Sequence, residues 1–317
     1  MKRLLIDGRC LLDTRSGGVR RLVLPFIESL IANKNADTEI VVGFTSHASL
    51  PADLAHLPHQ HVRIPNKLVI IASFFGISFE KYFAGAFDEV LYPNMDFTAK
   101  SRVPTTVLVH DLSFLIEPAW YSTKSRLWHT LLRPKQLIKN ATRVLTVSSW
   151  TKRDLIKILN VEEDKIEIIK TSDFLISPIQ QSIAALEGKP FFLLLGANNT
   201  RKNGECVLEA FKQFREQDKT ISLAITGKHL QQEGVICLDW LNDQELAWLY
   251  ANAKALLYPS WYEGFGIPLI EATQTKTPII ASTSSSLPDI APAETIFVPP
   301  HQPQLWTMAM QSVIRRG

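Results

Sequence analysis

Two glutamates near the C-terminal end of the sequence give the strongest chemical signal. Glu263 and Glu271 stand in the segment YPSWYEGFGIPLIE, residues 258–271. The apolar run that ends at Tyr258 predicts a strand. Pro268 predicts the first turn of a helix, where the N–H that a proline lacks would be unpaired anyway. One carboxylate then lies in the loop and the other about one turn into the helix, so the two can hydrogen-bond different sets of hydroxyl groups.

The glycines of this segment favour a phosphate beside the carboxylates. Gly264 and Gly266 have no side chain, which lets the backbone approach a ligand closely. The first amides of a helix lack partners within the helix and bind anions readily. We therefore expect the amides of residues 266–269 to face a phosphate.

A second loop, GANNTRKN at residues 196–203, supplies positive charge. It follows an apolar run that predicts a strand and precedes a predicted helix. Arg201 and Lys202 are adjacent cations at this junction. Such a pair can clamp a diphosphate and neutralise its charge as it departs.

A histidine, His110, ends another predicted strand in the segment VHDLSF. A lone histidine is more often structural than catalytic. However, open parallel sheets bind their ligands at the carboxyl ends of the strands. We therefore expect His110 in the site, with Asp111 either orienting it or capping the following turn.

Two glycines, Gly17 and Gly18, separate the first predicted strand from the first predicted helix. They do not form a dinucleotide-binding loop, because the G-x-G-x-x-G spacing is absent. Arg20 follows them and is placed to contact either a ligand or only solvent.

Together these segments resemble the donor-site motifs of retaining GT-B glycosyltransferases of the family 4 type, the group 1 glycosyltransferases. By this resemblance, Glu263 contacts hydroxyls of the transferred sugar and Glu271 contacts the nucleotide ribose. The resemblance also places the residues between them in the donor site, namely Gly264, Phe265, Gly266 and Ile267.

The Arg-Lys loop resembles the family's diphosphate-binding loop. The resemblance implies that Arg201 and Lys202 hold the donor diphosphate, and that Gly196 and Asn203 belong to the same binding loop. Many members carry an arginine just after the glycine, whereas this sequence has Ala197. One expected phosphate contact is therefore absent or comes from elsewhere.

The N-terminal half resembles the family as well. The segment around His110 matches the family's H-D-L-S-F segment, which implies that His110 hydrogen-bonds the donor sugar. Gly17 and Gly18 would let the first helix come near the donor phosphate and the acceptor. One departure is the segment IIKTSD, residues 168–173, which stands in place of the usual Pro-Asn-Gly-Val, so we expect contacts at the hinge to differ from the family's.

Alternating strands and helices position all of these loops, and this alternation predicts parallel sheets covered on both faces. The pattern pauses at residues 171–190, whose prolines and glycine are typical of a linker. We therefore predict an α/β fold of the GT-B class, two doubly wound Rossmann-like domains facing a cleft. The acceptor-binding domain spans 1–178 and the donor-binding domain 179–317. The predicted strands are 3–6, 40–44, 89–92, 105–109, 143–147, 166–169, 191–195, 222–226, 255–258 and 277–281.

Charge is distributed unevenly along the chain of 317 residues. Residues 1–160 hold 21 Lys and Arg against 13 Asp and Glu, a balance of +8, whereas residues 161–317 hold 13 against 18, a balance of −5. The first half is basic enough to lie on an anionic surface such as a membrane. The stretch Lys124–Lys139 mixes cations with Trp128 and leucines. It fits either a helix at a membrane interface or the core face of a buried helix.

No metal or cofactor is expected. The sequence has no Asp-x-Asp, and Arg201 and Lys202 would take the place of a metal on the diphosphate. The histidines of the segment HLPHQH, residues 56–61, are predicted to lie in a solvated loop. The first residues predict a strand and not a secretion signal, and the three cysteines suit a reducing compartment. The expected location is cytoplasmic, peripheral on the inner face of the membrane.

The expected function is transfer of a mannose- or rhamnose-like hexose from a nucleotide sugar to a glycan or lipid-linked acceptor, with retention of configuration, in surface polysaccharide synthesis. The partners are the sugar donor, the acceptor and a membrane surface, and no nucleic acid. One alternative is a non-catalytic relative that binds sugar nucleotides or acts as a scaffold. Another is a dinucleotide-dependent oxidoreductase, against which the missing glycine spacing argues.

Overall fold

The computed structural model describes residues 1–13, 17–97, 99–169 and 177–316. The chain divides into two compact units, Met1–Phe174 and Leu175–Gly317. Each unit is built around one parallel sheet, so the predicted fold class of two doubly wound α/β domains is confirmed. The predicted boundary after residue 178 stays a prediction, because residues 170–176 lie outside the described part of the chain. The departure from the family at 168–173 falls largely on the same residues.

The sheet of the first unit contains seven described strands. They are β1 Lys2–Asp7, β2 Thr38–Thr45, β3 His59–Val62, β4 Glu89–Tyr92, β5 Thr105–Val109, β6 Arg143–Thr146 and β7 Ile166–Ile168. Their spatial order is β3-β2-β1-β4-β5-β6-β7. The order reverses at β1, where Leu5 lies opposite both Val41 and Val90. Such a switch point is where open α/β sheets bind ligands.

Six helices of the first unit are described. They are α1 Gly17–Ala32, α2 Asn66–Phe74, α3 Ser113–Ile116, α4 Thr123–Leu132, α5 Pro134–Asn140 and α6 Ser149–Leu159.

The basic stretch 124–139 forms two helices and not one. Arg133 has a φ of 51°, which ends α4 in the left-handed region, and Pro134 begins α5, as its ring requires. Leu132 is buried while Leu127 is 71% exposed. The stretch therefore contributes to the core and also leaves apolar surface in contact with solvent.

The second unit has the same architecture. Its described strands are β8 Phe191–Leu194, β9 Ser222–Thr226, β10 Val235–Leu238, β11 Ala255–Tyr258, β12 Ile279–Ser282 and β13 Ile296–Val298. Its described helices are α7 Gly204–Arg215, α8 Asp243–Asn252, α9 Ile267–Gln274, α10 Leu287–Ile290 and α11 Pro303–Arg316. The strand order is β10-β9-β8-β11-β12-β13, so the switch point lies between β8 and β11.

Helices cover both faces of this second sheet. Leu194 belongs to a buried cluster that includes Trp306 of α11, whereas Leu193 belongs to a cluster with Tyr250 of α8 and Leu269 of α9. Successive residues of a strand point to opposite faces. The continuous apolar run of β8 is therefore explained by burial on both sides.

Candidate active site

The two motif loops of the second unit lie side by side because their strands are neighbours. β8 and β11 pair in parallel, with Leu194 opposite Leu257, and both loops leave the sheet at its carboxyl edge. Gly196 follows β8 with a φ of +68°, and a Cβ at this position would lie 2.9 Å from Cδ of Lys202. The glycine therefore provides both the turn and the space that Lys202 occupies.

Glu263 is buried between the two cations of the neighbouring loop. Its Oε2 lies 2.7 Å from Nη1 of Arg201, and its Oε1 lies 3.4 Å from Nζ of Lys202. Arg201 Nη1 also donates a hydrogen bond of 2.5 Å to the carbonyl of Tyr262. Lys202 donates to the hydroxyl of Tyr258 at 3.2 Å. The structure thus brings together the predicted catalytic residues of the second unit.

The carboxyl group of Glu263 is strongly acidic. Burial by itself would raise its pKa, but the charges of Arg201 and Lys202, with hydrogen bonds from Arg201 and Ser260, lower the pKa to about 2. Opposite charges within a few ångströms favour the ionised form in this way. Glu263 is therefore a carboxylate at neutral pH and an acceptor for hydroxyl groups.

Three serines that the sequence reasoning missed hold the Glu263 loop. Ser260 donates a hydrogen bond of 2.8 Å to Oε1 of Glu263. The amide of Glu263 donates to Oγ of Ser285 at 2.7 Å. Ser286 donates to the carbonyls of Glu263 at 2.8 Å and Phe265 at 3.0 Å. Ser285 and Ser286 belong to the serine run after β12, whose only sequence signal is that it follows a strand at the same edge.

Glu271 lies in α9 and is buried. Its Oε2 accepts a hydrogen bond of 2.6 Å from the hydroxyl of Tyr250 in α8. The tyrosine thereby fixes one carboxylate oxygen. The structure gives Glu271 a defined orientation, which a glutamate on the surface of a helix would lack.

The start of α9 has the conformation that the glycine pattern predicts, with one correction. Gly266 precedes the helix with a φ of +105°. The amide of Leu269 is not free, because it donates to the carbonyl of Gly266 at 2.9 Å, and Pro268 has no N–H. Within the described part of the chain, the amides of Gly266 and Ile267 have no hydrogen-bond partner. The group of amides at the helix start is therefore smaller than predicted.

Four more residues of these loops are predicted to contact the donor. The side-chain amide of Asn203 donates to the carbonyls of Pro259 at 3.1 Å and Pro300 at 2.6 Å, so it ties the two loops together. Gly264 is buried, and Phe265 and Ile267 are half-buried. Their contacts with a donor stay predictions.

His110 lies at the end of β5 in the first unit. Its Nε2 is 2.7 Å from the carbonyl of Pro93; a carbonyl only accepts, so Nε2 carries the proton. Burial lowers the pKa of His110 despite that hydrogen bond and the nearby charge of Asp111. The imidazole is therefore neutral at pH 7, and its Nδ1 is an acceptor. Asp111 caps the following turn by accepting from the amide of Ser113 at 2.9 Å.

The paired glycines begin α1. Gly18 is exposed, and a Cβ there would meet nothing within 4 Å. Packing therefore does not require a glycine at this position, which is compatible with close approach of a ligand. Arg20 is engaged within the protein: it donates to the carbonyl of Leu11 at 3.0 Å and pairs with Asp53.

The histidines of the 56–61 segment bind protein groups separately. His56 pairs with Glu28 at 2.8 Å, and His61 lies 3.1 Å from the carbonyl of Ser46. Among the described residues no group of three or more His, Cys, Asp or Glu side chains is placed to hold a metal ion. Nor does any helix in the described ranges have the length and apolar composition of a membrane span.

The fold and the site together define a two-domain α/β protein of the doubly wound class, with a cation pair, a buried carboxylate and a helix start at one switch point. Residues 176–317 match the family model described as Glycosyl transferases group 1. This match covers the second domain, and it agrees with the resemblance to group 1 glycosyltransferases seen in the motifs.

Two O-antigen mannosyltransferases are among the curated relatives of the chain. The chain is 25% identical over 230 residues to O-antigen chain mannosyltransferase B of Escherichia coli, covering 64% of this chain and 60% of the relative. It is 30% identical over 221 residues to O-antigen chain mannosyltransferase RfbU of Salmonella typhimurium, covering 66% and 60%. The chain thus spans about 60% of the length of these two curated relatives.

Solved structures share the fold. Sucrose-phosphate synthase from Thermosynechococcus elongatus superposes with a TM-score of 0.70 at 17% identity, covering 99% of this chain and 90% of the other. At this level of identity the likeness concerns the fold alone.

Proposed function

We propose that the protein is a hexosyltransferase that moves a mannose-like sugar from a nucleoside diphosphate donor to a glycan or lipid-linked acceptor of a surface polysaccharide. The observation that carries this proposal is the buried Glu263 held by Arg201 and Lys202 beside the start of α9. The similarity to O-antigen mannosyltransferases supports the sugar and the pathway class. A rhamnose-like hexose is the other sugar that fits the motifs.

In the proposed reaction, the bond between the anomeric carbon and the donor phosphate breaks through an oxocarbenium-like state. Arg201 and Lys202 neutralise the charge that develops on the departing diphosphate. The acceptor oxygen forms the new bond on the same face, and the leaving phosphate takes the proton of the acceptor. Configuration at the anomeric carbon is thereby retained, and no protein carboxylate serves as nucleophile.

Five other residues have proposed roles in holding the donor. The ionised Glu263 accepts hydrogen bonds from hydroxyls of the transferred sugar, and Glu271, oriented by Tyr250, accepts from the ribose. The unprotonated Nδ1 of His110 accepts a hydrogen bond from a sugar hydroxyl. Gly17 and Gly18 allow a phosphate to approach the start of α1. The two cations supply the charge that a metal ion provides in other transferases, so we propose a metal-independent reaction.

We also propose that the protein works at the cytoplasmic face of the membrane, in peripheral contact through its basic first half. Lipid-linked acceptors reside at anionic membranes, and the charge of +8 in residues 1–160 (21 Lys and Arg against 13 Asp and Glu) suits such a surface.

The test is release of nucleoside diphosphate from a panel of nucleotide sugars, with and without a chelator. The proposal expects turnover of one donor, undiminished by the chelator, and a product with the anomeric configuration of the donor. Replacing both cations, Arg201→Gln with Lys202→Gln, should lower kcat by about 100-fold or more. Lys228→Gln is the matched control, since Lys228 pairs on the surface of the same unit with Glu205.

The other outcomes are equally specific. Donor binding without turnover would identify a non-catalytic relative. Binding of a nicotinamide dinucleotide in place of a nucleotide sugar would identify an oxidoreductase. Equal turnover by the double variant and the Lys228 control would remove the assigned role of the cation pair.

A further inference from the structure

Helix α2 and the turn that follows it expose an unusual number of large apolar side chains. Five of them form what we call the α2 patch: Leu68 (53% exposed), Ile71 (51%), Phe74 (44%), Phe75 (82%) and Ile77 (46%). They lie within ten consecutive positions of the first unit. Monomeric proteins rarely expose a contiguous apolar surface of this kind without an interaction that uses it.

From Leu68 onward α2 is apolar on nearly every side, and the patch is the exposed side. Val69, Ile70 and Ser73 are the buried residues of α2. Leu68, Ile71 and Phe75 follow one another at intervals of three and four, which places them on one stripe of the opposite side. A helix that is apolar on every side is normally buried, so the outer side of α2 fits contact with an apolar phase.

Cations border the patch. Lys67 is exposed on α2 itself. At the other end Arg102 donates from Nη2 to the carbonyl of Gly76 at 3.3 Å, and the amide of Lys100 donates to Oγ of Ser73 at 2.7 Å. These two hydrogen bonds hold the segment that contains Lys100 and Arg102 against the C-terminal end of α2.

The sequence around α2, residues 54–87, contains no exposed acidic side chain. Glu80 is the one acidic residue in 54–87, and it is buried. Its Oε1 accepts the amide of Arg102 at 3.0 Å. The rim of the α2 patch therefore attracts anions and would repel a basic partner.

We infer that the α2 patch is the surface through which the protein docks on a bilayer that contains anionic lipid. An apolar side that enters the acyl boundary, bordered by Lys and Arg that reach headgroup phosphates, is the arrangement of interfacial helices. The inference rests on the membrane contact proposed above and names its surface: α2, and not the basic stretch 124–139.

The position of α2 relative to the first sheet shows how docking would serve sugar transfer. Thr45, the last residue of β2, donates from Oγ1 to Oδ1 of Asn66 at 2.7 Å. The helix therefore begins at the carboxyl edge of the first sheet, the edge at which His110 follows β5. Docking through α2 brings this edge toward the lipid headgroups, where a lipid-linked acceptor would be presented.

The experiment is flotation of the full-length protein with phosphatidylcholine vesicles, with and without phosphatidylglycerol. The variant Ile71→Ser with Phe75→Ser removes apolar surface at exposed positions, so the fold should be retained, and a thermal unfolding curve checks this. The matched control is Leu127→Ser with Leu131→Ser, two exposed leucines of α4, 71% and 43% exposed. We expect the wild type and the α4 variant to float with the anionic vesicles. The α2 variant should partition about tenfold less or weaker still.

Two further measurements complete the design. Lys67→Gln with Arg102→Gln should weaken flotation with anionic vesicles and flatten its dependence on salt, because both cations face the headgroups. Sedimentation velocity of the wild type and the α2 variant should show the same molecular mass. A dimer that the α2 variant dissociates would show that a second copy covers the patch, which overturns the inference.

The remaining outcomes separate this inference from the proposals on which it rests. Loss of flotation in the α4 variant alone would overturn the role of α2 and leave membrane contact in place. No flotation of the wild type at low salt would overturn membrane contact and the α2 surface together. Turnover of a nucleotide sugar is measured independently, so neither result touches sugar transfer.

Discussion

Glu263 is a buried carboxylate that depends on its neighbours to stay ionised. A carboxylate that is buried without partners would be protonated or would destabilise the fold. Here it ionises because Arg201 and Lys202 lie at 2.7 and 3.4 Å. The same contacts hold in place the two cations that the proposed function assigns to the donor diphosphate.

The acidity of Glu263 predicts how stability depends on pH. Its pKa falls from an ordinary value of 4.5 to about 2 in the folded protein. Its contribution is therefore complete above about pH 4.5 and is lost as the pH falls toward about 2, a change of about 3 kcal/mol. Urea unfolding of the wild type and of Glu263→Gln across this range measures it. The free energy of the wild type should fall more steeply toward acid, and parallel curves would contradict the assignment.

Ser286 carries a second prediction. Its hydroxyl donates to the carbonyls of Glu263 and Phe265, so Ser286→Ala leaves two carbonyls with one partner fewer. We expect a loss of about 2 kcal/mol in the free energy of unfolding and a raised KM for the donor, because the Glu263 loop is less firmly held. Ser284→Ala is the matched control, since the hydroxyl of Ser284 makes no hydrogen bond within the described residues. Equal effects of the two variants would rule out a specific role for Ser286.

These residues also show what the sequence could and could not reveal. Charged residues at strand ends carry their chemistry in their type, so Glu263, Arg201 and Lys202 could be singled out from their positions after predicted strands. Gly196 was singled out by the resemblance of its loop to the family's. Ser286 could not. It is a common neutral residue, 23 positions beyond Glu263, and only the pairing of β11 with β12 brings it beside that loop.

Among the strands, too, some could be predicted from the sequence and others could not. The predicted strands include the interior strands of both sheets, because these are buried on both faces and read as apolar runs. The strands that were missed, β3, β10 and β13, all lie at sheet edges. Edge strands are partly exposed: β3 has the sequence HQHV, with no fully buried residue. An apolar run is not needed in β3, so the sequence does not show one there. The other two missed strands, β10 (VICL) and β13 (IFV), are apolar but only four and three residues long.

The N-terminal cap of helix α8 is predicted to contribute to the stability of the protein. Asn242 caps it in a capping box with Glu245, and the helix presents Tyr250 to Glu271. Asn242→Ala should lower the free energy of unfolding by about 1 kcal/mol. Gln244→Ala, one residue into the same helix, tests whether any substitution at this end has the effect. If both variants unfold at the same urea concentration as the wild type, the cap does not hold α8.

At the scale of the whole molecule, the two halves of the chain carry opposite net charges. The acidic half, residues 161–317 with a balance of −5 (13 Lys and Arg against 18 Asp and Glu), nevertheless contains the Arg201–Lys202 pair. The proposed anionic donor would therefore meet a local cation pair within the half of the chain whose net charge is negative. The basic half carries the α2 patch, so attraction to an anionic surface is assigned to the other unit.

This division predicts where a nucleoside diphosphate protects the backbone from hydrogen exchange. The loops at 196–203 and 258–271 both belong to the second unit, and amides that a ligand holds exchange only when the ligand leaves. At a ligand concentration of about ten times Kd, exchange in these loops should slow about tenfold. Arg201→Gln with Lys202→Gln should abolish the protection without changing exchange in β8 and β11, whose hydrogen bonds do not depend on the two cations. Protection confined to the first unit would place the diphosphate elsewhere. It would remove the basis for assigning the diphosphate to the loops that follow β8 and β11.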